Sequence, residues 1–158
     1  MRRILPIMAV LLTVVLAGAA RADELFKANL TGDEEVPPVS TETTGKAFLL
    51  LDKTETTIEF QLHVSAGVRL TQSHIHCGPA GANGPVVVFL AGLHAGGLDV
   101  DGKWVGNATI KDSSIVNTSC GATVAALAAA MRSGGAYVNV HSVANPSGVV
   151  RGQIQTAD

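Results

Sequence analysis

Charge is scarce in this chain. Only 15% of its 158 residues are charged and the formal net charge is −2. Lysine and arginine form no stripe along it, which excludes the electrostatic footprint of a nucleic-acid binder. No G-x-S-x-G elbow is present, so the nucleophile turn of a serine hydrolase is missing. The glycine-rich stretch from Gly78 to Gly84 has no Lys-Ser/Thr after it and opens a strand instead of a helix, so it does not form a phosphate-cradling loop. Beyond the N-terminus no run is apolar enough to cross a bilayer. Cysteine is limited to two residues and histidine to five; these few residues carry most of the chemical information.

The first residues read as a targeting segment. Met1-Arg2-Arg3 is a positive n-region, Ile4 to Leu16 an apolar h-region, and Ala20-Arg21-Ala22 an A-x-A cleavage pattern. A signal peptide over 1–22 and a mature domain over 23–158, secreted or periplasmic, follow as expectations. A retained anchor would need an apolar run of ~20 residues, longer than this one. Export places Cys77 and Cys120 in an oxidising compartment, where a pair is more often bridged than reactive, so a Cys77–Cys120 disulfide is expected. The sequons at Asn29, Asn107 and Asn117 matter only in a eukaryotic secretory pathway.

Within 23–158 the apolar spacing is mostly that of strands. Ile58, Phe60, Leu62 and Val64 alternate with Thr57, Glu59, Gln61 and His63, a half-buried pattern that leaves His63 on the polar face. Further strands are expected over 25–30, 46–52, 86–90, 103–110, 136–141 and 149–154. The segment between Leu93 and Gly102 reads as an excursion that carries His94 and the turn carboxylates Asp99 and Asp101. Thr123 to Arg132 is rich in helix formers, places Val124, Leu127 and Met131 on one face, and stops at Gly134-Gly135. Many short strands and one helix indicate an all-β sandwich or barrel in one domain.

Chemistry concentrates in Ser73-His74-Ile75-His76-Cys77. In a strand His74 and His76 share one face while Ile75 and Cys77 face the other way. His141 ends the strand from Tyr137, with Val138 and Val140 turned to the core and His141 outward, as Arg151 and Gln153 are expected to be on the neighbouring strand. Neutral imidazole suits copper, zinc, nickel and iron, and three such rings on adjacent strands would form a tri-histidine site with nitrogens within ~4 Å of one another. Copper leads zinc in the affinity order. His94 is a weaker fourth candidate from its glycine-rich loop, and Arg151 a candidate for steering an anion to the metal. The alternative is that the three histidines only hydrogen-bond loops and pack a rim.

Three motifs in order resemble the CHRD family, a module described in the extracellular protein chordin and present in exported bacterial proteins. They are Leu30-Thr31-Gly32-Asp33-Glu34-Glu35-Val36-Pro37-Pro38-Val39, then His74-Ile75-His76-Cys77-Gly78-Pro79 with Gly84-Pro85-Val86-Val87, then Tyr137-Val138-Asn139-Val140-His141-Ser142 with Asn145-Pro146-Ser147-Gly148 and Arg151-Gly152-Gln153-Ile154. The resemblance spans about Phe26 to Gln155 and implies an immunoglobulin-like or superoxide-dismutase-like Greek-key β-sandwich. It implies a non-enzymatic extracytoplasmic binding module with a protein partner. The order of His74, His76, His94 and His141 loosely resembles the copper ligands of superoxide dismutases, without their zinc loop. A copper-binding protein with superoxide dismutase-like or copper-handling activity is therefore the second expectation.

Overall fold

The computed structural model describes residues 22–157. The signal-peptide reading falls on residues 1–22 and so, Ala22 apart, lies outside them. The described chain is all-β with one short helix. In order the strands are β1 (Glu24–Leu30), β2 (Thr44–Leu51), β3 (Ile58–Cys77), β4 (Val86–Ala91), β5 (Leu98–Ile110), β6 (Ala136–Ser142), β7 (Val150–Gln153) and β8 (Gln155–Thr156), with helix α1 (Val124–Arg132) between β5 and β6.

All pairings are antiparallel, and the main path runs β7-β6-β3-β2-β1-β8, with β4 and β5 also pairing β3. Thr31, just past β1, exchanges two backbone hydrogen bonds with Arg151 of β7, at 2.9 and 3.0 Å. That contact brings β7, one end of the path, against the end of β1 near the other, so the sheet closes nearly into a barrel, in keeping with the sandwich class read from the sequence.

Inside lie Phe26, Leu49, Leu51, Ile58, Leu62, Leu70, Ile75, Ile110, Val138, Val140 and Ile154, all at most 1% exposed. Each such side chain contributes roughly 1.5–3 kcal/mol by leaving water. The expected alternation of Ile58, Phe60, Leu62 and Val64 holds, and their neighbours remain outside or half-buried. Helix α1 begins where Thr123 Oγ1 accepts the Ala126 N–H at 3.2 Å, and it buries Val124, Leu127, Ala128 and Met131. It ends at Gly134, whose φ of 70° is the left-handed conformation that glycine adopts without strain.

The largest departure from the sequence pattern is β3. Ile58–Val64 and Ser73–Cys77 are two ends of one strand of 20 residues. Between them Ala66 and Arg69 take φ of 51° and 48°, and the pairing with β5 slips in register on either side of Gly67. The first half of β3 pairs β2 and β5, and the second half pairs β4 and β6. Asp99 and Asp101 are therefore not turn residues. They sit on β5, where Asp99 Oδ1 accepts the Arg69 N–H at 2.8 Å and Asp101 Oδ1 the Ala66 N–H at 3.2 Å, and so brace the bent middle of β3.

Candidate metal centre

Antiparallel register builds the site. His74 pairs with Asn139 and His76 with Tyr137 across β3 and β6, while Asn139 and Tyr137 pair with Arg151 and Gln153 across β6 and β7. Side chains opposite one another share a face, so this face carries His74, His76, His141, Asn139, Tyr137, Arg151 and Gln153. The grouping is the expected one, but the face does not look outward. His74, His76 and His141 are 3%, 8% and 6% exposed.

The glycine- and proline-rich loops fold over the face because its polar groups hold their carbonyls. His76 Nδ1 lies 2.8 Å from the Gly84 carbonyl oxygen and His141 Nδ1 2.9 Å from that of Pro146. A carbonyl only accepts, so both rings donate from Nδ1, and when neutral they keep a lone pair on Nε2. His141 Nε2 takes the proton of His74 Nδ1 at 2.9 Å. His74 Nε2 is then a buried lone pair with no donor. His76 Nε2 meets the Asn139 side-chain amide, whose Oδ1 is 3.0 Å away; the pairing with a neutral ring is completed by a half-turn of that amide, which presents Nδ2–H.

Neutrality follows from the surroundings. Burial, then the neighbouring His141 and His76, pull His74 down to a pKa of about 4. Burial also lowers His76 and His141, against hydrogen bonds that raise them, and the Arg151 charge adds to the lowering at His76. One ring nitrogen from each of the three lies within 4.8 Å of the others. This is wider than the expected ~4 Å, because the His74–His141 hydrogen bond draws one pair together and leaves His76 to Asn139. Metal–nitrogen bonds of ~2.0–2.1 Å would require ligand nitrogens nearer ~3.4 Å, a closure of ~1.4 Å. The donor set suits a transition metal, and the group could hold one.

The other candidates fall elsewhere. His94 is exposed and tilts against Trp104, ring centres 6.5 Å apart, so it is no fourth member of the group. His63 is half-buried and meets Phe48 edge-on. Arg151 is not an outward anion guide. It is 1% exposed, lies 3.4 Å above the Tyr137 ring centre, and donates to Pro79 O at 3.0 Å, Ala82 O at 2.8 Å and Asn83 Oδ1 at 3.3 Å. Its donors tie down the loop whose Gly84 carbonyl orients His76. The Cys77–Cys120 bridge is present, with Cα atoms 5.6 Å apart, so neither sulfur is a free thiolate ligand.

Three residues around the rings, and a fourth beside Arg151, were not singled out by sequence reasoning. Tyr137 stacks on His76 at 4.8 Å, and Asn139 bonds it; both lie at period two from His141, a signal that was available. Phe89, 55% exposed, sets its ring edge against His74 at 4.8 Å. Glu35 is buried beside Arg151 and Gly148, and only its place in the Thr31–Val39 motif marked it.

A sequence model of the CHRD domain matches residues 26–154. The chain belongs to the CHRD family. Comparison with curated proteins and with solved structures returned no match. The His-x-His strand, the loop it holds and the β6–β7 face thus all lie inside the CHRD domain. No described helix is long and apolar enough to cross a membrane.

Proposed function

We propose that this CHRD protein is an exported, extracytoplasmic, non-enzymatic module that binds one transition-metal ion at His74, His76 and His141, with copper ahead of zinc. The observation that carries this reading is the buried trio itself: two rings whose Nδ1–H is fixed by backbone carbonyls, and a third with an unpartnered Nε2. Metal-ligating histidines are oriented by such carbonyl bonds. A buried lone pair without a donor costs about 1–3 kcal/mol, a cost that an ion bound at that nitrogen would remove. The signal peptide, cleavage before Asp23 and a secreted or periplasmic location belong to the same proposal, and the disulfide suits them.

The test is metal analysis with equilibrium titration of the purified protein by copper and zinc. Binding of one ion per chain is expected, and its loss in both His74→Ala and His76→Ala. His76→Ala also removes the stack on Tyr137, so each variant's β-type circular dichroism is checked first. If folded variants bind as the parent does, the trio is not the site.

An interaction module without metal is the second reading, favoured by a separate observation. Leu25 and Leu50 pair directly across β1 and β2, and with Phe48 they leave an apolar patch at 42%, 38% and 38% exposure. Such patches mark interaction surfaces when they are contiguous.

A further inference from the structure

The metal reading leaves open which ion the rings take, and the charges around them bear on that. Among the described residues the group contains no carboxylate, and both cysteines are bridged. An ion here would meet three neutral ligands in a buried setting, with no anion to offset its charge. The fixed charge that acts on His76 is itself positive. The Arg151 guanidinium carbon lies 3.4 Å from the Tyr137 ring centre and that ring 4.8 Å from His76, so the cation is at most about 8 Å from the His76 ring. None of the Arg151 hydrogen bonds goes to a carboxylate; all go to carbonyl-type oxygens. Glu35 is the acid that feels Arg151, and burial holds it toward its neutral form.

We propose that the His74/His76/His141 group selects cuprous copper over divalent ions, because an all-imidazole, carboxylate-free site beside a buried guanidinium tolerates one positive charge far better than two. This rests on the metal reading above. Doubling the ion's charge doubles its repulsion from Arg151 and quadruples the cost of removing it from water. The Irving–Williams order ranks copper first among divalent ions but compares ions of equal charge, and so does not oppose the lower charge of copper(I). Sodium and potassium carry one charge but are hard ions that seek oxygen, so imidazole does not hold them.

The test uses the disulfide-bonded protein without added thiols, under anaerobic conditions. Copper(I) is titrated in competition with bathocuproine disulfonate, and zinc(II) and copper(II) each in competition with a chromophoric chelator. One copper(I) per chain is expected, bound at least ~100-fold more tightly than either divalent ion and lost in His76→Ala. Asn139→Asp places a carboxylate of the same shape against His76, and the preference should move at least ~10-fold toward zinc(II). Zinc(II) binding as tightly as copper(I), and lost in His76→Ala, would overturn the selectivity while leaving the metal site standing. Failure of all three ions to bind stoichiometrically would overturn both. An unchanged preference in a folded Asn139→Asp protein would show that charge does not set the selection.

Discussion

Glu35→Gln should change the pH dependence of stability in a calculable way. Glu35 is 6% exposed, one of its oxygens has no hydrogen-bond partner, and burial, partly opposed by Arg151, raises its pKa from 4.5 to about 7. The folded state therefore holds this proton more tightly than the unfolded state. The stability it contributes is complete below the unfolded pKa of 4.5 and is lost as pH rises through about 7. Across that gap the loss is about 3 kcal/mol, at ~1.4 kcal/mol per tenfold change in proton affinity, and about 2–3 kcal/mol of it falls between pH 5 and pH 8. The buried histidines have the opposite slope. Their folded pKa values are depressed, so their contribution is present above the unfolded value of 6.5 and falls away toward acid. Subtracting the two proteins at each pH cancels the histidines, since both chains carry them. Urea unfolding of parent and Glu35→Gln from pH 5 to pH 8 should show the variant gaining about 2–3 kcal/mol relative to the parent as pH rises. A difference that stays flat would refute the buried-acid account of Glu35.

The other predictions concern stability. Arg151→Met removes three hydrogen bonds and a cation–π contact, partly offset by not burying a charge, and should cost about 2–4 kcal/mol in urea unfolding; Arg151→Lys should recover little, because an ammonium cannot span the same acceptors. Replacing Cys77 and Cys120 together by Ala opens a loop with a sequence separation of 43 and should cost about 4 kcal/mol in the chain-entropy account, read as a lower urea midpoint. Gly152→Ala should cost about 2–3 kcal/mol or more, because a Cβ there would overlap the backbone carbonyl oxygen of Asn29; a thermal midpoint equal to the parent's would show that β1 can move aside.

Much of this fold was legible because period-two patterns are local. Ile58 to Val64 and Tyr137 to His141 declared themselves residue by residue, Val86 to Leu90 as a continuous apolar run, and α1 was bounded by Thr123 and Gly134. The union of two segments into β3 was not legible, since nothing about Ala66 or Arg69 announces positive φ in residues other than glycine. The start of β5 was hidden for the same reason, because its aspartates are defined by backbone donors 30 and 35 residues away. At the site, strand spacing found the three histidines and their shared face. It could not find the roof, since whether a loop of glycine and proline folds back depends on which carbonyls the face captures. Arg151 was read onto the right face from the strand pattern but taken as exposed, and it is buried because loop carbonyls and an aromatic ring cover it.

The continuity of β3 sets how the histidines move. A site carried on surface loops can open at the small cost of local fraying, but His74 and His76 stand on the same uninterrupted strand as Ile58, Phe60 and Leu62, which hold the opposite half of the protein. Loosening one end of such a strand strains the other. Pulling His74 and His76 away by moving their backbone therefore draws on the free energy of the whole domain, and the closure of the rings on an ion falls to rotation of the side chains.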